Sequence, residues 1–186
     1  MTVAILAFQG DFLEHRKMLE NLGADSFEIR NKSDLNRPFD GLVLPGGEST
    51  TMGKLLIDLD MMNPIRDLIQ NGLPVFGTCA GMILLAKKID NEPVSHLATM
   101  DITVVRNAYG RQLGSFNAVS DFDGNSIEMT FIRAPYIKSV ESKVKILSIV
   151  DGKIVAAQQG SQLATAFHPE LTHDPTVHRH FLNMIG

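Results

Sequence analysis

One cysteine occurs in the chain, and its setting is the first candidate for chemistry. Gly77-Thr78-Cys79-Ala80-Gly81 has the form G-x-C-x-G and sits where a predicted strand turns into a predicted helix. It is the thiol counterpart of the G-x-S-x-G nucleophile elbow. A sharp strand-to-helix turn forces the nucleophile into strained backbone geometry, and glycine neighbours allow the close approach that the turn demands. At a helix start a thiolate meets unpaired N–H groups and the positive end of the dipole. The N–H of Ala80, the residue after the nucleophile, is placed to donate to an oxyanion. The competing reading is a small buried core residue, the usual fate of a lone cysteine.

A cysteine nucleophile needs a base. Among six histidines, His168 stands out because it follows the predicted strand Leu163–Phe167 and belongs to His168-Pro169-Glu170. Residues i and i+2 of an extended segment point the same way, so Glu170 can fix the imidazole tautomer and stabilise an imidazolium. The order Cys79, His168, Glu170 makes a plausible triad. The other histidines take the bland structural reading. His173, His178 and His180 invite a metal site, but on a helix residues two apart point to nearly opposite sides, so His178 and His180 do not share an ion easily. No metal is expected.

Gly46-Gly47-Glu48-Ser49-Thr50 forms a second glycine-bearing loop between a strand and a helix. A phosphate loop ending at Gly53-Lys54 fails, because Glu48 stands where its first glycine belongs and Leu55 replaces Ser/Thr. What remains is a backbone donor loop, with Gly47 able to offer an N–H to the same oxyanion as Ala80. Glu48 reads equally as a ligand for a substrate ammonium or as an ordinary first-turn carboxylate.

These residues require elements to hold them. Val3–Phe8, Ser26–Arg30, Gly41–Leu44 and Leu73–Gly77 read as strands. Helical stretches follow Asp11 (an N-cap with Glu14 three residues on) and cover Thr50–Leu59, Pro64–Gln70 and Ala80–Ile89. Such alternation implies parallel strands joined by crossovers and buried on both faces. Beyond Glu92-Pro93 the candidates are short strands: Ile102–Val105, Ser115–Ser120, Ile127–Ile132, Lys145–Val150, Lys153–Ala157 and Leu163–Phe167. Asp123-Gly124 and Asp151-Gly152 mark tight hairpins, and a helix near Pro175–Ile185 closes the chain. The expected fold is α/β, with a mostly parallel central sheet flanked by helices and antiparallel strands in the second half.

Composition narrows the function. At 186 residues the chain is expected to be a single domain, 1–186, long enough to hold a core without disulfides or metal. A net charge of −4 and no basic run beyond Lys87-Lys88 argue against nucleic-acid or membrane binding. No apolar stretch approaches the roughly 18 residues of a membrane span. The first residues lack a charged n-region and a cleavage site, so no secretory signal is expected. With a single cysteine no intrachain disulfide can form, and the reducing cytoplasm is the expected location.

The elbow together with His168-Pro169-Glu170 resembles the class I, triad-type glutamine amidotransferases. Longer stretches resemble the glutaminase subunits of pyridoxal 5′-phosphate synthase: Ala7–His15, Leu44–Thr51, Arg106–Gln112, Phe131–Pro135 and Ala166–Thr172. The resemblance covers essentially the whole chain, departing at Phe8, Met82, His173 and the segment Asn91–Thr99. It implies Cys79 as nucleophile with His168 and Glu170 as its charge-relay pair. It implies glutamine-binding positions at Gly46, Gly47, Glu48, Arg106, Ile132 and Arg133, and no cofactor. Patterning alone would leave Arg106 and Arg133 as solubilising surface residues. Both follow apolar strands, however, and an α-carboxylate needs a cationic partner.

The implied activity is hydrolysis of L-glutamine to glutamate and ammonia through a thioester. Ammonia would pass to a synthase partner in a large hetero-oligomer for vitamin B6 synthesis. A separate partner fits the length, because a (β/α)8 barrel typically takes about 250 residues by itself. Two alternatives stay open: a stand-alone γ-glutamyl hydrolase or ammonia donor of another pathway, and a non-enzymatic cysteine sensor.

Overall fold

Apolar runs without polar alternation favour strands covered on both faces, and three of them, with one alternating strand at the edge, build the first half of the sheet. The computed structural model describes residues 1–106 and 115–186, so most of the quoted stretch Arg106–Gln112 lies outside the described residues. Strand β1 (Thr2–Leu6) lies between β2 (Asp25–Ile29) and β3 (Gly41–Leu44), and β4 (Val75–Thr78) follows β3, all parallel. Every residue of β3 and β4 is buried. The crossovers are α1 (Phe12–Asn21) after β1, then α2 (Ser49–Asp58) and α3 (Met62–Gln70) after β3.

The helix expected over Ala80–Ile89 is shorter than its apolar pattern suggests. It runs only over Ala80–Leu85 (α4), and Ala86–Ile89 forms strand β5. Strand pairing supplies the reason: β5 pairs in parallel with β6 (Met100–Val105), with Ala86 and Ile89 buried and Lys87 and Lys88 facing solvent. Lys87 also forms an ion pair with Asp101 on β6. Tertiary pairing overrides a helical propensity that is never more than a weak prior.

The remaining strands are β7 (Ser115–Phe122), β8 (Asn125–Ile132), β9 (Tyr136–Val140), β10 (Lys145–Val150), β11 (Lys153–Gln159) and β12 (Gln162–Thr165). Sequence patterning did not anticipate β9. The main sheet has 10 strands in the order β2-β1-β3-β4-β12-β11-β9-β6-β5, with β10 paired to β11, and β7-β8 form a separate ribbon. Both predicted hairpins are present. Asp123-Gly124 joins β7 to β8 and Asp151-Gly152 joins β10 to β11, each with positive φ at both residues, as tight two-residue hairpins require.

Strand β12 joins the two halves. It runs parallel to β4, with Thr165 beside Thr78, and antiparallel to β11. The closing helix α5 (Thr176–Ile185) packs across β3 and β4: Phe181 lies 5.6 Å from the Phe76 ring, and a Cβ on Gly41 would meet Ile185 at 2.6 Å. Helix α4 is buried throughout and sits directly on β3, where a Cβ at Gly81 would come within 1.9 Å of the Leu44 carbonyl oxygen. That contact explains the second glycine of the elbow. No helix among the described residues is long and apolar enough to cross a membrane.

Candidate active site

Strand β4 ends at Thr78 and α4 begins at Ala80, so Cys79 carries the whole change of direction. Its backbone takes φ 49° and ψ −101°, the strained conformation expected of an elbow nucleophile. The Cys79 N–H donates to the Thr165 carbonyl of β12 at 2.8 Å, which ties the turn to the neighbouring strand. Three residues past Thr165 stands His168, whose own N–H donates to the Thr130 carbonyl at 2.8 Å. Nucleophile and imidazole thus leave adjacent parallel strands at the same end.

The His168 ring is 4% exposed and lies between carboxylates and thiol. Nδ1 is 2.7 Å from Glu170 Oε1, and the ring shares the cleft with Cys79. Burial alone would lower the His168 pKa, but the neighbouring Asp11, Cys79 and Glu170 outweigh it and raise the value well above that of an ordinary histidine. The site therefore favours an imidazolium at His168. Burial pushes the Glu170 carboxyl up, and the neighbouring His168 offsets part of that.

Asp11 differs from its expected role. It occupies the N-cap position of α1 but makes no side-chain capping bond. Its carboxylate instead turns toward His168, 3.5 Å from Nδ1, and the hydrogen bond with that ring holds its pKa below the ordinary range. Asp11, His168 and Glu170 together offer three potential metal-ligand atoms within 4.8 Å of one another. The hydrogen bond between His168 and Glu170 already uses Nδ1, so a cation there would have to break it.

A cleft of about 480 Å³ opens in front of these groups. Cys79, Ala80, Gly47, Glu48, Arg106, Ile132, Arg133 and His168 all line it, as do Gly10, Asp11, Ser49, Ile83 and Pro135. Gly46 lies against the His168 ring, where an added Cβ would be 2.5 Å from Cε1. Gly47 takes φ +144° and carries the loop to Glu48, whose N–H donates to Gln9 Oε1 at 3.1 Å. The sequence-derived positions therefore converge on one cleft, with Glu170 behind its wall.

The charges at the mouth are already partnered. The Glu48 carboxylate caps α2, accepting from the N–H groups of Thr50 (3.1 Å) and Thr51 (2.7 Å) and from Thr51 Oγ1 (2.8 Å). Burial works against its ionisation, yet these hydrogen bonds lower its pKa to about 2. Arg106 donates to Glu48 Oε1 at 3.1 Å and pairs with Glu92 Oε2 at 3.1 Å. Arg133 is exposed, adopts φ 43°, and makes no ion pair with any described residue.

Sequence reasoning passed over His15, Thr78 and His178. All three are fully buried beside Glu170, and His15 is hydrogen-bonded to both Thr78 and His178. One signal was available: Asp11 and His15 are four residues apart at a helix start, a spacing that puts both on one face.

Comparison with known proteins fits this geometry. Residues 5–186 match the SNO glutamine amidotransferase family. The chain belongs to that family. Curated relatives of the SNO type share its full length. One named pyridoxal 5′-phosphate synthase subunit PdxT from Methanocorpusculum labreanum is 59% identical, covering 100% of this chain and 98% of the relative. A protein of the same name from Streptococcus pneumoniae is 56% identical, covering 99% and 97%. A solved structure described as a glutamine amidotransferase superposes with a TM-score of 0.93 at 42% identity, covering 99% of this chain and 98% of that one. A putative GMP synthase component from Thermoplasma acidophilum, 19% identical, covers 100% of this chain and 94% of its own with a TM-score of 0.70, a likeness of fold alone. The SNO glutamine amidotransferase assignment thus agrees with an elbow cysteine beside a histidine and a buried glutamate.

Proposed function

We propose that the protein hydrolyses L-glutamine to L-glutamate and ammonia and hands the ammonia to a separate synthase subunit that makes pyridoxal 5′-phosphate. The observation that carries the reading is the strained elbow cysteine Cys79 in one cleft with His168, whose ring is hydrogen-bonded to buried Glu170. Cys79 Sγ attacks the side-chain amide carbon, and the amide oxygen becomes an oxyanion. N–H groups of Ala80 and Gly47 are the donors assigned to it. His168 gives its proton to the departing nitrogen, the C–N bond breaks, and ammonia leaves a γ-glutamyl thioester. Water then attacks the thioester carbon, with His168 taking its proton. The C–S bond breaks, returning the thiol and releasing glutamate. Glu170 holds the imidazole tautomer and stabilises the imidazolium.

At the mouth, Arg133 is assigned the substrate α-carboxylate, since Arg106 is engaged by Glu48 and Glu92. Glu48 and Arg106 then work as a pair: Glu48 faces the substrate ammonium while Arg106 holds the Glu48 carboxylate in place. Gly46 and Ile132 shape the cleft around the side chain. The names of the full-length relatives support the identity of the synthase partner. The chain is read as one domain working in the cytoplasm within a hetero-oligomer.

The deciding experiment is co-purification with the synthase subunit, followed by glutamine turnover with and without it. Cys79→Ala should abolish glutamate release in the reconstituted complex; retained activity would overturn the assignment. Full turnover without any partner would instead favour a stand-alone hydrolase.

A further inference from the structure

Behind Glu170 lies a buried polar chain that the reaction as written does not use. His15 on α1 and His178 on α5 are both fully buried, as is Thr78 at the end of β4. His15 Nδ1 is 2.9 Å from His178 Nε2. His15 Nε2 is 3.1 Å from Thr78 Oγ1 and 3.4 Å from Glu170 Oε2. Glu170 commits Oε1 to His168. Its buried Oε2 makes no hydrogen bond with any described residue, His15 Nε2 at 3.4 Å being a charge contact only, and His178 Nδ1 makes none either.

The proton positions follow from hydrogen-bond chemistry. Both histidines are held below the ordinary histidine pKa, first of all by burial, and so are neutral with one N–H each. If His15 Nδ1 carried the proton, its Nε2 lone pair would face the lone pairs of Glu170 Oε2, and His178 would leave a buried N–H unpaired at Nδ1. If His178 Nε2 carries the proton, it donates to His15 Nδ1. His15 Nε2–H then donates to Thr78 Oγ1 and presents its positive end to Glu170 Oε2, 3.4 Å away. Only acceptor lone pairs, at His178 Nδ1 and Glu170 Oε2, go unused. An orphaned acceptor is more readily tolerated than an orphaned donor, so the second pattern is preferred.

We infer that His15 is a positioning residue for the triad, its Nε2–H directed at the second oxygen of Glu170 and its tautomer set by His178. The relay then runs His178–His15–Glu170–His168–Cys79, and only its last two members touch the reacting atoms. The hydrogen bond of His168 to Oε1 and the His15 Nε2–H 3.4 Å from Oε2 both favour the Glu170 anion within a site that burial would otherwise neutralise. Glu170 faces His168, His15 and, at longer range, Asp11. His15 faces His178, Thr78, Glu170, the charge of His168 and the edge of Phe76. His178 faces His15 and Phe76.

The inference rests on the glutaminase reading, so its test uses two readouts on the full-length protein. One is glutamine turnover in complex with the synthase subunit. The other is alkylation by iodoacetamide against pH, which reports Cys79 alone because it is the only cysteine. His15→Leu should lower kcat about 10- to 100-fold with KM within about twofold. It should also move the acid limbs of turnover and alkylation upward by about one pH unit, because a Glu170 without the nearby Nε2–H dipole protonates earlier. His15→Gln, whose amide N–H can stand where Nε2–H stood, should restore both limbs. His178→Phe should shift the limbs in the same direction by less, and it decides the matter if His15→Leu does not fold. Unmoved limbs in both His15→Leu and His178→Phe would overturn the relay, as would equal loss in His15→Leu and His15→Gln with unmoved limbs. If the native protein fails to turn over glutamine, the proposed function falls, yet the alkylation limbs still judge the relay.

Discussion

The two walls of the cleft are built on opposite principles. At the back, His168, Glu170, His15, Thr78 and His178 are all buried; His168 is hydrogen-bonded to Glu170, and His15 to both Thr78 and His178. At the mouth, Glu48, Glu92 and Arg106 are at least partly open to solvent and satisfy one another. In a low-dielectric interior an unpaired polar group is costly, so the back wall holds one geometry whether or not substrate is present. Near the surface an ion pair contributes only about 0–1 kcal/mol, so its partners can be shared with or exchanged for an incoming zwitterion. The chemistry is therefore preorganised while recognition is exchangeable, and the two walls should fail differently when mutated.

The largest separation is expected at Gly46→Ala. Its Cβ would fall 2.5 Å from His168 Cε1, which displaces the imidazole. Steady-state assays in the complex should show kcat reduced roughly 100-fold with KM little changed; a pure KM effect would mean that the loop, not the ring, had yielded. Arg133→Ala strikes the other wall. It should raise KM for glutamine about 10- to 100-fold, the range of a lost charge-assisted hydrogen bond, with kcat within a few-fold. A kcat loss in Arg133→Ala comparable to that of Gly46→Ala would erase the distinction.

Smaller effects concern stability. Glu48→Ala removes the cap of α2, and denaturant unfolding should show a loss of about 1 kcal/mol. The buried histidines give a pH signature. His178 has a pKa of about 3 against the ordinary 6.5, lowered by burial, so between those values the unfolded chain binds the extra proton. Stability is then full above about pH 6.5 and falls as the pH drops toward 3, by about 1.4 kcal/mol per pH unit from this group alone. His178→Phe should flatten that slope in urea titrations between pH 6.5 and 5. An unchanged slope would mean that His178 is protonated in the folded protein.

The same contrast explains what could be read from the chain. The elbow was legible because its chemistry is local: glycines, cysteine and the strand–helix switch lie within five residues, Gly77 to Gly81. Gly41–Leu44 was predicted to the residue, since an uninterrupted apolar run between turn signals has few other uses. His15 and His178 were opaque because they meet across 163 positions of sequence and no local period reports such a contact. Asp11 misled for a related reason: an aspartate before a helix is a capping signal, and only the folded sheet brings His168 close enough to compete for it. The residues Ala86–Ile89 continued an apolar helical pattern, and only the pairing with β6 makes them a strand.

Strands β4 and β12 are neighbours in register, yet most of the antiparallel half of the chain is strung between them. The reach from nucleophile to base is therefore gauged by one rung of a sheet ladder, roughly 4.8 Å between strands, and not by the length of the intervening chain. Residues 80–161 must preserve that rung, and they also supply the Ala80 N–H, the Thr130 carbonyl under His168 and the cleft residues Arg106, Ile132 and Arg133. An exposed turn such as Asp151-Gly152, between β10 and β11, can be lengthened or re-surfaced while Cys79 and His168 keep their spacing. Evolution, or a protein engineer, can rebuild such a turn and leave the chemistry alone.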